Sequence, residues 1–279
     1  MIVALTGASG FVGTALQKHF KDSIVIDRKD DESLILEKLT GVDVVINLAG
    51  APIIKRWNDP YKKILMQSRI ESTERLVRAI NQSSVTHFIS TSAIGIYPDA
   101  QKCDERCTQI ADDFLGHLAQ KWEEEALLCN KPTSILRFGV ILGKEGGALA
   151  QMLTPFKWGV GGIIGNGKMM TSWIEIEDLI RIYQYVIEKK LTGVFNAVSP
   201  KPVTNYIFTK ALGKVLHRPT ILPIPEFALR IMYGEASSVL TGSKEIYPKA
   251  LLDKGFVFKY TDIEAALEGQ LNQQEKHFI

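Results

Sequence analysis

Cysteine, unbalanced charge and long apolar runs are what this chain has little of. Its 279 residues include three cysteines, Cys103, Cys107 and Cys129, an odd number at irregular spacing. That excludes a disulfide framework and, with no companion ligands, a zinc site; free thiols in the cytoplasm are expected. The net charge is +2 and no basic block occurs, so neither nucleic acid nor a membrane surface is an expected partner. No apolar run is long enough to span a membrane. Met1 leads straight into an apolar segment, so no signal peptide is expected. Internal repeats, low-complexity tracts and disordered linkers are absent too. What remains is an ordinary globular composition, 46% hydrophobic and 23% charged. A chain of this length can bury a large core as one domain or two unequal lobes.

The most informative stretch is the first. Ile2-Val3-Ala4-Leu5 is apolar without an amphipathic period, which suits a parallel strand covered on both faces. Thr6-Gly7-Ala8-Ser9-Gly10-Phe11-Val12-Gly13 follows. Gly7 permits a tight turn off the strand, Gly10 lets backbone approach a pyrophosphate, and Gly13 lets the next helix pack closely on the sheet. That helix would aim free N–H groups at the phosphates. A second strand, Ser23-Ile24-Val25-Ile26, ends in Asp27, where a dinucleotide site places the carboxylate that holds the adenosine ribose. Arg28 would instead pair with a 2′-phosphate. NADP is favoured, and NAD stays open.

Glu32–Leu39 reads as a helix and Val42–Asn47 as the third strand. It runs into Leu48-Ala49-Gly50-Ala51, small residues where an open α/β sheet holds its ligands. Arg56-Trp57 in the next loop is either a substrate contact or a loop anchor. Tyr61–Gln82 reads as one long helix, with Ile64, Leu65, Leu76, Val77 and Ile80 at helical spacing. The fourth strand, Thr86–Ser92, ends in hydroxyls able to bond a ligand. Asp112 or Asp113 caps a helix at Phe114–Leu128, and Thr133–Phe138 is the fifth strand.

From Gly143 the texture changes. Gly143, Gly146 and Gly147 precede a helix near Ala148–Phe156. Gly159–Gly167 is glycine-dense with no strand before it. It is either a mobile wall over a substrate or a cluster of tight turns, not a second phosphate cradle. Trp173–Ile176 and Glu177–Lys190 are expected to return to the sheet as strand and helix, and Gly193–Ala197 adds a strand. Short helices near Asn205–Leu216, Glu226–Tyr233 and Thr261–Leu271 follow in a proline-richer segment. The expected fold class is α/β, a Rossmann doubly wound parallel sheet with a smaller C-terminal substrate lobe. Residues 1–150 with 173–200 would form the dinucleotide-binding domain, and 151–172 with 201–279 the lobe.

Four motifs, Gly7–Gly13, Asn47-Leu48-Ala49-Gly50, Ser90-Thr91-Ser92 and Arg137-Phe138-Gly139-Val140-Ile141-Leu142-Gly143, fall in a known order. In them the chain resembles the extended short-chain dehydrogenase/reductase superfamily, in its NAD-dependent epimerase/dehydratase branch. It is similar, more narrowly, to a nucleotide-sugar-epimerase-like subfamily with a C-terminal extension of unknown function. Arg56-Trp57, Asp112-Asp113-Phe114-Leu115, Trp122-Glu123, Ser172-Trp173-Ile174, Pro202-Val203-Thr204-Asn205 and Pro225 through Gly234 carry that likeness. The resemblance implies cofactor contacts at Gly7, Ser9, Gly10, Phe11, Val12, Gly13, Asp27, Arg28, Leu48, Ala49, Gly50, Ser90, Lys121 and Arg137. It implies an NAD(P)-dependent oxidoreductase or epimerase acting on a hydroxyl or carbonyl of a small polar molecule, nucleotide sugars included. A homodimer is compatible with it.

In that superfamily a Ser at the tip of the fourth strand orients the reacting oxygen, and Ser92 matches it. A Tyr, lowered in pKa by a Lys four residues on, moves the proton; the two share one helix face. The helix Phe114–Leu128 has no tyrosine, and His117-Leu118-Ala119-Gln120-Lys121 stands in the frame. Lys121 would serve the nicotinamide ribose. His117 would replace the Tyr as acid/base, or it is a surface residue. Tyr97, just past Ser92, would supply the phenol, or it packs in the core. Tyr185…Lys189 and Tyr206…Lys210 fit the spacing by chance, on helices far past the cofactor half. The missing Tyr also leaves open a cofactor-binding sensor or interaction protein with eroded catalysis.

Overall fold

The computed structural model describes residues 1–271. The first half runs β1 (Val3–Thr6), α1 (Phe11–His19), β2 (Ile24–Ile26), α2 (Glu32–Lys38), β3 (Val44–Asn47), α3 (Asp59–Met66), α4 (Ser72–Asn81), β4 (His87–Ala93), β5 (Lys102–Cys103), α5 (Phe114–Leu127) and β6 (Thr133–Phe138). The second runs β7 (Val140–Gly143), α6 (Gly147–Lys157), β8 (Met170–Thr171), β9 (Trp173–Glu175), α7 (Ile176–Glu188), β10 (Gly193–Ala197), β11 (Val203–Thr204), α8 (Asn205–Val215), α9 (Glu226–Tyr233), α10 (Ser238–Thr241), β12 (Glu245–Ile246), α11 (Lys249–Asp253) and α12 (Ile263–Leu271).

Six strands form one Rossmann-like parallel sheet in the order β2-β1-β3-β4-β6-β10. β1, β2 and β3 are apolar along nearly their whole length because successive side chains enter opposite cores. Val3, Leu5, Ile46 and Ile89 pack with Leu16 of α1 and Leu179, Ile182 and Val186 of α7. Ala4, Val45 and Phe88 pack on the other face with Ile35, Leu76, Ile80 and Ala126 from α2, α4 and α5. The chain leaves β1 toward β2, then crosses back to β3 on the other side. That reversal opens a crevice at the carboxyl ends of β1 and β3, where open α/β sheets bind ligands. A separate core joins Leu149, Phe156 and Trp173 to Phe208, Leu212 and Leu267 of α8 and α12.

Two expected elements differ. The Tyr61–Gln82 helix is interrupted by a π-helical turn at Gln67–Glu71, between α3 and α4. Hydroxyls occupy the carbonyls the wide turn loosens: Ser68 donates to Leu65 O at 3.1 Å, and Ser72 to Ser68 O at 2.7 Å. The strand at Trp173 does not return to the main sheet but pairs with β7. The place beside β6 is already taken by β10. Gly139 permits the crossing, since a Cβ there would lie 2.6 Å from Ser172 O. Gly159–Gly167 is strapped down as turns: Gly165 N–H donates to Ile224 O and Ile224 N–H to Ile163 O.

Candidate functional site

The glycine loop is held by close backbone packing. Gly7 sits at φ +64°, where a Cβ would lie 2.8 Å from the Leu48 carbonyl; at Gly13 a Cβ would lie 2.3 Å from Gly7 O. The first bond inside α1 runs from Thr14 N–H to Gly10 O, 2.8 Å. The N–H groups of Phe11, Val12 and Gly13 therefore have no helical acceptor, and these residues line a cavity of about 600 Å³. That donor set fits a diphosphate. Gly143, Gly146 and Gly147 serve the same loop differently. A Cβ at Gly143 or Gly146 would meet the Phe11 ring at 2.2 or 2.4 Å, so this second glycine group is the slot for that ring.

At the far end of β2, Asp27 and Arg28 are exposed. The Asp27 carboxylate accepts from Lys29 N–H at 3.0 Å, closing the turn. Arg75 donates to Arg28 O at 3.1 Å, and its own buried Nε has no hydrogen-bond partner. Two guanidinium side chains with a spare donor fit a 2′-phosphate.

Beneath the crevice lies a buried polar network. Thr6 donates to Asn47 at 2.7 Å, Asn47 to Thr73 at 2.8 Å, and the Trp122 indole to Thr73 at 3.0 Å. It ties the ends of β1 and β3 to α4 and α5. At the tip of β4, Ser92 lines the cavity and donates to Glu123 Oε1 at 2.5 Å. Behind it Arg137 grips both Glu123 oxygens, at 2.8 and 2.7 Å, and donates to the Tyr97 hydroxyl at 2.7 Å. Burial works against the Arg137 charge, but the Glu123 carboxylate outweighs it and holds the guanidinium above its ordinary range.

The profile of the NAD dependent epimerase/dehydratase family matches residues 3–197, and that of a domain of unknown function matches 224–269. The chain belongs to the NAD dependent epimerase/dehydratase family. Similar to it is the "epimerase family protein SDR39U1 homolog, chloroplastic" of Arabidopsis thaliana, 34% identical over 96% of this chain and 86% of that protein. The crystal structure of human epimerase family protein SDR39U1 with NADPH superposes at a TM-score of 0.91. Its identity is 30%, over 98% of this chain and 99% of that one. A dTDP-4-dehydrorhamnose reductase from Clostridium acetobutylicum shares the fold, with a TM-score of 0.81 at 14% identity over 99% of this chain and 100% of that one.

In this epimerase-family chain the expected site residues divide. Gly7, Gly10, Phe11, Val12, Gly13, Leu48, Gly50 and Ser92 line the cavity together. Ser9 and Ala49 are not part of its wall. Ser90 is fully buried, 3.4 Å from the Asn47 amide; it shares a face of β4 with Ser92 but lies two residues deeper in the strand, below the cavity. Arg137 is spent on Glu123 inside the core and does not reach the cavity. Tyr97 is corrected to a core residue: it is 1% exposed, donates to Asn196 at 2.8 Å, and burial pushes its phenol up to about 12. His117 and Lys121 are corrected to surface residues. They lie on the outer face of α5, with His117 Nε2 3.6 Å from Asp112. The face of α5 turned to the cavity carries Leu115, Leu118, Ala119 and Trp122, one position out of the expected frame. Asp113, not Asp112, caps α5, accepting from Gly116 N–H at 2.8 Å. Trp57 donates to Ile53 O at 2.9 Å and is the loop's anchor.

Two charged side chains at or behind the cavity wall carry no expectation from the sequence. Glu123 sits on the buried stripe Ala119, Trp122, Ala126, where a lone carboxylate is itself a signal. Arg69 sits on the stripe Leu65, Arg69, Thr73 and lines the cavity from the π-helical turn. A lone cation in an apolar helix stripe was the available sign.

Proposed function

We propose that this chain binds NADP(H) along the crevice and acts as an oxidoreductase or epimerase on a hydroxyl or carbonyl of a small molecule. One observation carries the reading: a single cavity runs from the α1 N-terminus past Gly50 to Ser92 and on to Phe208 and Leu240 of the C-terminal part. The free N–H groups of α1 would hold the diphosphate, and Arg28 with Arg75 the 2′-phosphate. The bound nicotinamide supplies hydride transfer. Ser92, its proton committed to Glu123, offers lone pairs to the cavity. It would accept from a substrate hydroxyl, with Glu123 behind it taking the proton and Arg137 fixing Glu123 in place. Three free cysteines support a reducing, cytoplasmic setting.

A sensor that binds cofactor without turnover is favoured by a different observation. Among the described residues lining the cavity there is no Asp, Glu, His, Tyr or Cys. Calorimetry with NADPH and NADH, followed by a panel of carbonyl compounds read by nicotinamide absorbance, separates the two. Oxidation of NADPH by any of them supports the enzyme. Tight binding with no oxidation supports the sensor, and no binding of either nucleotide rejects both.

A further inference from the structure

We propose that the cavity takes an apolar small molecule bearing one carboxylate, and that Arg69 holds that carboxylate. The proposal rests on the crevice being the cofactor site and names what lies beside the cofactor.

Arg69 is the unbalanced charge of the wall. The other charged residue of the wall, Lys244, is paired with Asp99 at 2.7 Å, and Glu123 behind the wall is paired with Arg137 at 2.7 Å. Among the described residues Arg69 has no carboxylate partner. Its Nη2 donates to Ala51 O at 3.0 Å, its Nη1 lies 3.4 Å from Leu65 O, and its guanidinium lies 5.3 Å from the Trp122 ring centroid. Burial pulls it down to about 10, so it remains a cation at neutral pH. The chain makes room for it: a Cβ on Gly50 would lie 3.0 Å from its Cζ. A largely buried guanidinium is costly unless something supplies an anion. The α1 N-terminus already answers the cofactor diphosphate, so Arg69 is left for a second anion.

The remaining wall decides the rest of the molecule. Ile53, Leu118, Met152, Ile164, Phe208 and Leu240 converge on it from both parts of the chain. Polar groups there are few and partly spent. Ser172 donates to Lys244 O and accepts from Ile246 N–H, and Asn205 Oδ1 accepts from Ile164 N–H at 2.9 Å. A nucleotide sugar would bury a base, hydroxyls and a second diphosphate against hydrocarbon. A planar fork in an apolar wall suits a bidentate carboxylate on an apolar body.

The test is calorimetry on NADPH-loaded protein with 4-phenylbutanoate and decanoate, the amide of each, and UDP-glucose. The acids should bind at least about tenfold tighter than their amides, as expected of a charge-assisted pair. Arg69→Gln should abolish that preference and Arg69→Lys should weaken it, with NADPH affinity held within about threefold in both. Acids binding no better than amides, no acid binding at all, or UDP-glucose binding in their place would overturn the proposal. So would an Arg69→Gln loss that falls on NADPH instead, which gives Arg69 to the cofactor. Failure of the wild-type chain to bind NADPH would instead reject the reading of the crevice.

Discussion

Tyr97 donates to Asn196 and accepts from Arg137, with its ring closed off from the cavity. Tyr97→Phe removes one hydroxyl and leaves two buried partners short, a cost of about 1–3 kcal/mol. Urea denaturation should show that loss, while the affinity for NADPH stays unchanged; an unaltered midpoint with lost binding would return Tyr97 to the site. Glu123→Gln acts through charge. It strands Arg137 in the core, where breaking one side of a buried pair costs about 3–5 kcal/mol. A denaturation midpoint within error of wild type would mean that water, not Glu123, balances Arg137. Ser92 was legible because a polar tip on a buried strand is conspicuous. Tyr97 was misplaced because five residues past a strand tip fix no direction for a side chain. Only the contacts at Arg137 and Asn196 do.

For whole elements, the strands of the main sheet and most longer helices were readable from periodicity; the short pieces β5, β8, β11, β12, α10 and α11 gave no such signal, and the other errors are errors of rotation or partner. A shift of one residue on α5 turns the side chain by about 100°, so His117 and Lys121 face water while Leu118 and Trp122 face the cavity. The stripe Leu118, Trp122, Ala126 sets that angle, and Glu123, a charge among the buried positions, disguises it. Trp173–Glu175 was read correctly as a strand, but its neighbour depends on which strand reaches β6 first. Glu175 then caps α7, accepting from the N–H groups of Glu177 and Asp178. Burial nevertheless outweighs those donors and pushes its carboxyl up to about 7 from an ordinary 4.5. The folded chain thus holds a proton that the unfolded chain releases. Its contribution to stability is full below the unfolded value and declines as pH rises through that window, by up to about 3 kcal/mol, then levels off. Glu175→Gln cannot titrate. The stability gap between wild type and this variant, measured by denaturation at pH 5 and pH 7.5, should shift against wild type at the higher pH. A constant gap would mean that the helix-end N–H groups keep Glu175 charged throughout.

At the scale of the molecule, the opening strand–glycine–helix unit and the apolar strands made the parallel sheet legible, because a strand covered on both faces tolerates few polar residues. The junction of the two parts was not legible. It depends on Gly139 and on the β7–β9 pairing, contacts between segments whose separate sequences are unremarkable. That junction has a thermodynamic consequence. β7 supplies Leu142 to the C-terminal core, while Ile141 beside it and Ile174 of β9 join the core under the sheet. Two cores sharing a pair of strands should melt together. Saturating NADPH stabilises whatever cooperative unit contains the crevice, by about 2.7 kcal/mol at a hundredfold excess over Kd. For a chain of this length that corresponds to a rise in Tm of about 5 °C. Differential scanning calorimetry should therefore show one transition, moving as a whole with NADPH. Two transitions, with only the first displaced by the cofactor, would mean that the C-terminal core is stable by itself and that the cavity wall it contributes is merely docked.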